Sequence, residues 1–238
     1  MANPKVTVLM SVYNGEKYLR EAIDSILNQT FKDFEFLIVN DGSTDSSRDI
    51  VLSYNDPRIR LVDNEKNIGL TGSLNKGLRL AKGEYIARMD ADDISTPDRL
   101  GKQVAYMNTH PEKALLGGQA IVINSRGDTI TRWHDIIEPG LLRWSLLFGN
   151  QFIHSAVMLC STLLRAHRLS YDCVLPCAQD YDLWQRISQF SSVANLADVV
   201  IYRREHSRSI SAGDSQGQKK TALMVTGRGI SELLGYST

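Results

Sequence analysis

Tyr85-Ile86-Ala87-Arg88-Met89-Asp90-Ala91-Asp92-Asp93 is the stretch on which the fold reading turns. An apolar, strand-like run ends abruptly in three carboxylates within four positions, and Ser95, Thr96 and Pro97 follow as a loop and helix-start signal. Like charges this close repel and raise one another's pKa unless a cation lies between them, which makes a divalent metal the economical account. A solvated acidic turn capping the next helix is the alternative. An EF-hand loop counted from Asp90 is excluded, because its sixth position would be Ser95 instead of Gly and its twelfth Gly101 instead of Glu.

Working back from that stretch, the chain alternates. Val6 to Val12 is a short β-branched run ending in Tyr13-Asn14-Gly15, which suits a buried strand and a helix N-cap. Leu19, Ala22, Ile23, Ile26 and Leu27 recur at helical spacing, with Glu16 in the expected first turn. Phe34 to Val39 is a second strand, closed by the turn formers Asn40-Asp41-Gly42-Ser43-Thr44-Asp45. A helix bearing Ile50, Val51 and Tyr54 precedes a third strand over Arg58 to Val62. Leu70, Leu74, Leu78 and Ala81 define another helix, which Lys82-Gly83 is expected to end. This alternation predicts a mostly parallel sheet with helices on both faces, in which ligands sit outside the carboxyl ends of the strands. Tyr13-Asn14, Asp41 and Asp90 to Asp93 all fall at such ends, so one cleft is expected to gather them.

Downstream, Thr96 as cap and Pro97 at the first helical position open a helix with Leu100, Val104 and Met107 on one face. The pattern then changes. Leu115 to Asn124 and Asp128 to Trp133 read as a hairpin joined at Ser125-Arg126-Gly127, Pro139 to Phe148 as a helix, and Phe152 to Leu159 as a strand whose His154-Ser155 interruption faces a site. Asp180 and Asp182 precede an apolar helical face of Leu183, Trp184 and Ile187. Val199 to Tyr202 is a last strand, and a terminal helix carries Leu223, Ile230 and Leu234. The expected organisation is a first half over 1–110, a second half of the same domain over 111–215, and a terminal helix or tail over 216–238.

Bulk composition narrows the function classes. Lysine plus arginine equal aspartate plus glutamate at 27 each, so no general attraction to nucleic acid is implied. Three cysteines fit a reducing compartment, and Cys173 and Cys177 lack zinc-site spacing. No hydrophobic signal core opens the sequence and no run of 18 apolar residues occurs, so a cytoplasmic protein without a transmembrane span is expected.

Four ordered elements, Ser11-Val12-Tyr13-Asn14, Asn40-Asp41-Gly42-Ser43-Thr44-Asp45, Asn67-Ile68-Gly69 with Asn75-Lys76-Gly77, and Asp90-Ala91-Asp92-Asp93, resemble the motif series of the family 2 glycosyltransferases, inverting nucleotide-sugar enzymes of the A-type α/β fold. The resemblance covers nearly the whole chain. It implies that Val12, Tyr13 and Asn14 line the base and ribose pocket and that Asp41 accepts a hydrogen bond from the base. It also implies that Asp90 holds the ribose and Asp92 binds Mn²⁺ or Mg²⁺ bridging the diphosphate. For Asp41-Gly42, ordinary turn chemistry is the alternative. Gln179-Asp180-Tyr181-Asp182-Leu183-Trp184 resembles the acceptor-side motif, with Gln179 where the family has Glu, and implies Asp180 as general base. Helix capping by Asp180 or Asp182 is the alternative there.

Arg204-Glu205-His206-Ser207-Arg208-Ser209-Ile210-Ser211 resembles the family's late Arg-x-His-x-x-Ser-x-Ser element. It implies His206 as a further metal ligand and Arg204 or Arg208 as a diphosphate contact. The Gln-x-x-Arg-Trp element of processive synthases is missing, so transfer of one sugar at a time is expected. The expected donor is a nucleoside-diphosphate sugar, a UDP-sugar first, and the expected acceptor a glycan or lipid-linked glycan in surface-polysaccharide assembly. The basic residues Arg203, Arg204, Arg208, Lys219, Lys220 and Arg228, with the apolar span Leu141 to Leu164, suit peripheral contact at the inner face of an anionic bilayer. A solvated basic tail over an ordinary core suits them equally. Rival functions are a non-catalytic nucleotide- or glycan-binding module and a sugar nucleotidyltransferase; Ser11 to Gly15 has only one of the glycines the latter needs.

Overall fold

The computed structural model describes residues 3–133, 136–207 and 215–235. In chain order its elements are β1 (Val6–Val12), α1 (Leu19–Leu27), β2 (Phe34–Asn40), α2 (Ser47–Leu52), β3 (Ile59–Asp63), α3 (Gly69–Leu80), β4 (Tyr85–Asp90), β5 (Ile94–Ser95) and α4 (Arg99–Thr109). Then come β6 (Lys113–Ile123), β7 (Thr129–Trp133), α5 (Pro139–Leu146), β8 (Met158–Cys160), α6 (Ser161–Ala166), α7 (Gln179–Phe190), β9 (Ser192–Arg204) and α8 (Ser215–Leu233).

One nine-stranded sheet runs β3-β2-β1-β4-β8-β6-β9-β5, with β7 paired to β6. The first four strands are parallel, as the alternation requires. β8 then enters antiparallel to both β4 and β6, whereas β6 and β9 are parallel. β1 is central to the site because β2 and β4 flank it in register: Val12 pairs with Asn40, and Ser11 with Asp90. The residues just beyond these positions therefore emerge side by side, although up to about 80 positions separate them along the chain.

Strand alternation divides the core. Val6, Val8, Met10, Phe36, Ile38, Ala87 and Met89 pack against α1, α2 and α4, while Leu9, Leu37, Val39 and Ile86 pack with α3, α5, α6, α7 and α8 on the opposite face. Such near-continuous burial explains the unbroken Val/Ile/Leu runs in β1 and β2.

Several local expectations need correcting. Asn14 does not cap α1 and Glu16 is not in its first turn. Asn14 adopts the left-handed conformation (φ 50°), α1 begins at Leu19, and Glu16 Oε2 accepts from Ser46 N (3.0 Å), so it serves the loop before α2. Gly83 does not end α3 by left-handed geometry. It is required because a Cβ there would lie 2.3 Å from Thr7 N. α4 is capped at Asp98, since Thr96 is tied to Val200 through its amide and hydroxyl. The expected strand over Phe152 to Leu159 shrinks to β8, because His154–Ala156 form a 3₁₀ turn.

Candidate active site

A cleft of about 1580 Å³ opens along the carboxyl edge of β1, β2 and β4. Tyr13, Asn14, Asp41, Asp90, Asp92, Asp180, Arg204 and His206 all line it. Val12 does not: β1 alternation turns its side chain into the core, where it is 1% exposed, and its carbonyl accepts from Asp41 N (2.8 Å).

At the ends of β1 and β2, two loops lock together. Asn14 Oδ1 accepts from Thr44 N (2.8 Å) and Ser43 Oγ accepts from Asn14 N (3.1 Å), which explains the left-handed Asn14 and leaves Tyr13 half exposed in the cleft. Asp41, almost fully buried, accepts at Oδ1 from Asn64 Nδ2 (2.8 Å) and Ile68 N (2.9 Å). Asn64 is held in turn by Lys76 Nζ (2.7 Å), and Asn75 exchanges two bonds with the backbone of Tyr171. The Asn67-to-Gly77 region thus buttresses Asp41 and ties α3 to the segment before α7. Turn chemistry is also present, for Gly42 has φ +70° and a Cβ there would meet Lys66 C at 2.8 Å.

The acidic cluster lies next to this. Carboxylate oxygens of Asp90, Asp92 and Asp93 fall within 4.8 Å of one another. Burial, with Asp90 as the main neighbouring charge, pushes Asp92 up to about 6 and Asp93 up to about 7. Each carboxylate has a different companion. Asp90 forms an ion pair with Arg88, His206 Nε2 lies 2.9 Å from Asp92 Oδ2, and Arg204 N donates to Asp93 Oδ1 (2.7 Å). Three hard oxygen donors that repel one another fit a divalent cation, and His206 lines the same cleft.

Arg204 lines the cleft and is also tied to its surroundings. Its side chain is 2% exposed, pairs with Glu21, donates to Asp92 O (2.9 Å) and Asn124 O (3.2 Å), and stacks on the Tyr18 ring at 4.5 Å. A guanidinium so committed braces the Asp92 backbone. Arg208, Ser209, Ile210 and Ser211 lie outside the described residues.

Across the cleft, Asp180 sits in the first turn of α7, after Ala178 in a left-handed conformation (φ 54°). Asn150 Nδ2 donates to Asp180 Oδ2 (2.9 Å). Burial raises the Asp180 pKa, against the opposing pull of α7 amides, Asn150 and Arg88. Asp182 is structural: it is 2% exposed and takes Arg186 and Arg228 together.

Some cleft residues carried little sequence signal. Arg88, Asn150 and Trp133 line the cleft alongside the candidates. Of these only Arg88, a charge inside an apolar strand, carries a signal that could have pointed to it. The flagged His154-Ser155 pair does face the cleft side: His154 lines it and contacts the Tyr171 hydroxyl (2.8 Å), and Ser155 bonds to Asp93.

A mixed sheet with parallel donor-side strands, carboxylates at its carboxyl edge and a second acid facing them is the A-type glycosyltransferase arrangement. Residues 7–164 match the model of glycosyl transferase family 2, and the chain belongs to that family. It is 31% identical over 232 residues to an uncharacterized glycosyltransferase of Haemophilus influenzae, covering 93% of this chain and 72% of that one. It is 37% identical over 191 residues to the putative glycosyltransferase EpsE of Bacillus subtilis, covering 78% and 67%.

Among solved structures, S. aureus TarS 1-349 in complex with UDP-GlcNAc shares the fold at a TM-score of 0.79 and 20% identity, over 95% of this chain and 66% of that one. The mannosyltransferase PcManGT of Pyrobaculum calidifontis, in complex with GDP-Man and Mn²⁺, superposes at 0.67 and 19% identity, over 100% and 66%. The chain thus spans just under two thirds of these two solved chains. No helix among the described residues is long and apolar enough to cross a membrane.

Proposed function

We propose that this glycosyltransferase moves a single sugar from a nucleoside-diphosphate sugar, a UDP-sugar first, to a glycan or lipid-linked glycan acceptor in surface-polysaccharide assembly, with inversion at the anomeric carbon. One observation carries the reading: Asp90 and Asp92 share a cleft with Asp180, whose pKa burial has raised. Tyr13, Asn14 and Asp41 receive the nucleoside and Asp90 the ribose. Asp180 takes the proton from the acceptor hydroxyl as that oxygen attacks the anomeric carbon. The bond from that carbon to the diphosphate breaks, and its electron pair stays on the departing phosphate oxygen. A raised pKa makes Asp180 a stronger base, and Asn150 fixes its direction.

Charge that develops on the leaving diphosphate calls for a hard divalent cation, Mn²⁺ or Mg²⁺, which Asp92 and His206 would hold. Ile137, Leu141, Trp144 and Phe148 recur at helical spacing on α5 and its flanks and are about half exposed, which supports peripheral contact with a bilayer carrying a lipid-linked acceptor at the cytoplasmic face. PcManGT was captured with GDP-Man and Mn²⁺, and TarS with UDP-GlcNAc; both support a nucleotide-sugar donor here.

Calorimetric titration with UDP, dTDP and GDP, each with and without Mn²⁺, tests the donor side. Metal-dependent binding of one nucleotide is expected. Folded protein that binds none of them would leave the cluster an acidic turn and return the binding-module reading.

A further inference from the structure

We infer that Arg88 divides the acidic cluster by function: paired with Asp90, it reserves that carboxylate for the donor and leaves Asp92 to the cation. This rests on the nucleotide-sugar reading of the cleft.

The argument begins in the strand. Alternation along β4 puts Tyr85, Ala87 and Met89 in the core on one face and Ile86, Arg88 and Asp90 on the other. Arg88 is therefore one strand repeat behind Asp90, on the same face, at the floor of the cleft. It is 3% exposed; its Nη1 pairs with Asp90, and its Nε is buried without a hydrogen-bond partner among the described residues. A buried guanidinium with an unmet donor costs stability, so packing does not account for it.

The charged and titratable groups facing Arg88 come from several elements. Asp90, Asp92 and Asp93 face it from the end of β4 and the turn beyond, Tyr171 and Asp180 from the α7 side, His154 from the 3₁₀ turn, and Arg99 from α4. Arg99 does not compete for Asp90, because its Nη2 donates to the carbonyl oxygens of Arg88 (2.8 Å) and Val157 (3.2 Å). Asp92 feels the Arg88 charge without touching it and is contacted by His206, and Asp93 is held by the Arg204 amide. Of the three carboxylates, only Asp90 has a full cation fixed beside it by the same strand.

Two affinities follow, and they move in opposite directions. With Arg88 present, the cation meets a cluster whose charge is reduced by one, and Asp90 keeps a fixed direction toward the donor. Without that charge, Asp90 joins the other carboxylates in attracting a cation and loses its fixed direction. A residue with a merely structural role would weaken both affinities together.

The test measures free Mn²⁺ by electron paramagnetic resonance, and UDP binding by calorimetry at saturating Mn²⁺, on the parent, Arg88→Gln and Arg88→Lys, with thermal unfolding of each. Arg88→Gln is expected to bind Mn²⁺ alone about tenfold more tightly, as removal of one nearby positive charge requires. It is expected to bind UDP about tenfold more weakly, as loss of a charge-assisted pairing implies. Arg88→Lys keeps the charge without the planar fork, so its Mn²⁺ affinity should stay near the parent's while UDP still weakens.

A folded Arg88→Gln whose Mn²⁺ affinity is unchanged or lower overturns the inference. If Arg88→Gln does not fold, Arg88→Lys decides: parental UDP affinity overturns the inference and weakened UDP with parental Mn²⁺ supports it. A parent that binds neither Mn²⁺ nor UDP would instead overturn the nucleotide-sugar reading, and the inference with it.

Discussion

Asn150 Nδ2 donates to Asp180 Oδ2 over 2.9 Å, joining the segment after α5 to the first turn of α7. This bond favours the ionised carboxylate, whereas burial favours the neutral acid and prevails. The base works only when ionised, so transfer should rise with pH through the raised Asp180 pKa. Asn150→Ala removes the lowering contribution and should move that limb to higher pH, with kcat down roughly 10- to 100-fold, the worth of a hydrogen bond to a charged group. Initial rates against pH, with UDP binding measured in parallel, provide the check. Asp180→Asn should abolish transfer and leave UDP binding intact; equal loss of both would place Asp180 outside the chemistry.

The metal-free cluster predicts an unusual stability profile. Asp92 is raised to about 6 and Asp93 to about 7, above the unfolded value of about 3.9. In that interval the folded state holds more protons than the unfolded one, so stability is fullest below pH 4 and falls as pH rises toward 7. At about 1.36 kcal/mol per pKa unit, the loss should be of the order of several kcal/mol. Mn²⁺ should restore it at pH 8 and do little at pH 5. Urea unfolding at both values, with and without chelator, measures this, and a profile with no dependence on the ion would remove the cation from the cluster.

Arg204 is predicted to matter for stability. Replacing it with Ala strands Glu21 and frees the Asp92 carbonyl, at a cost of about 3–5 kcal/mol if the pair behaves as buried pairs do, and at the low end because Glu21 is half exposed. Denaturant midpoints of Arg204→Ala and Glu21→Gln give the comparison. A parental midpoint for Arg204→Ala would return the arginine to the diphosphate.

Ala178 precedes α7 at φ 54°, where a Cβ crowds the backbone. Ala178→Gly should therefore stabilise the folded state by about 1 kcal/mol, net of the entropy glycine loses on folding. A lower urea midpoint would show that the turn is held without strain.

Local pattern in the sequence was sufficient for the strand and helix order of the amino-terminal half. Short, nearly unbroken apolar runs in Val6–Val12, Phe34–Asn40 and Tyr85–Asp90, alternating with helices of period 3.6, required a parallel sheet with its candidate residues at one edge. The same pattern led to Tyr13, Asp41, Asp90 and Asp92, because turn formers and carboxylates after apolar strands are visible one element at a time. Strand pairing is a different quantity. That β8 would slip antiparallel between β4 and β6, or that β9 would extend over thirteen residues, depends on partners far away in the chain. So does what a polar side chain bonds to. Glu16 reaches Ser46, Asn75 reaches Tyr171, Asn150 reaches Asp180 and Arg204 reaches Glu21, each across a separation no periodicity records. The sequence alone determined which residues stand at the strand ends. Only the tertiary structure decided which of them remain available to a ligand, because a buried charge or amide takes its partner from whatever the fold brings within about 3 Å.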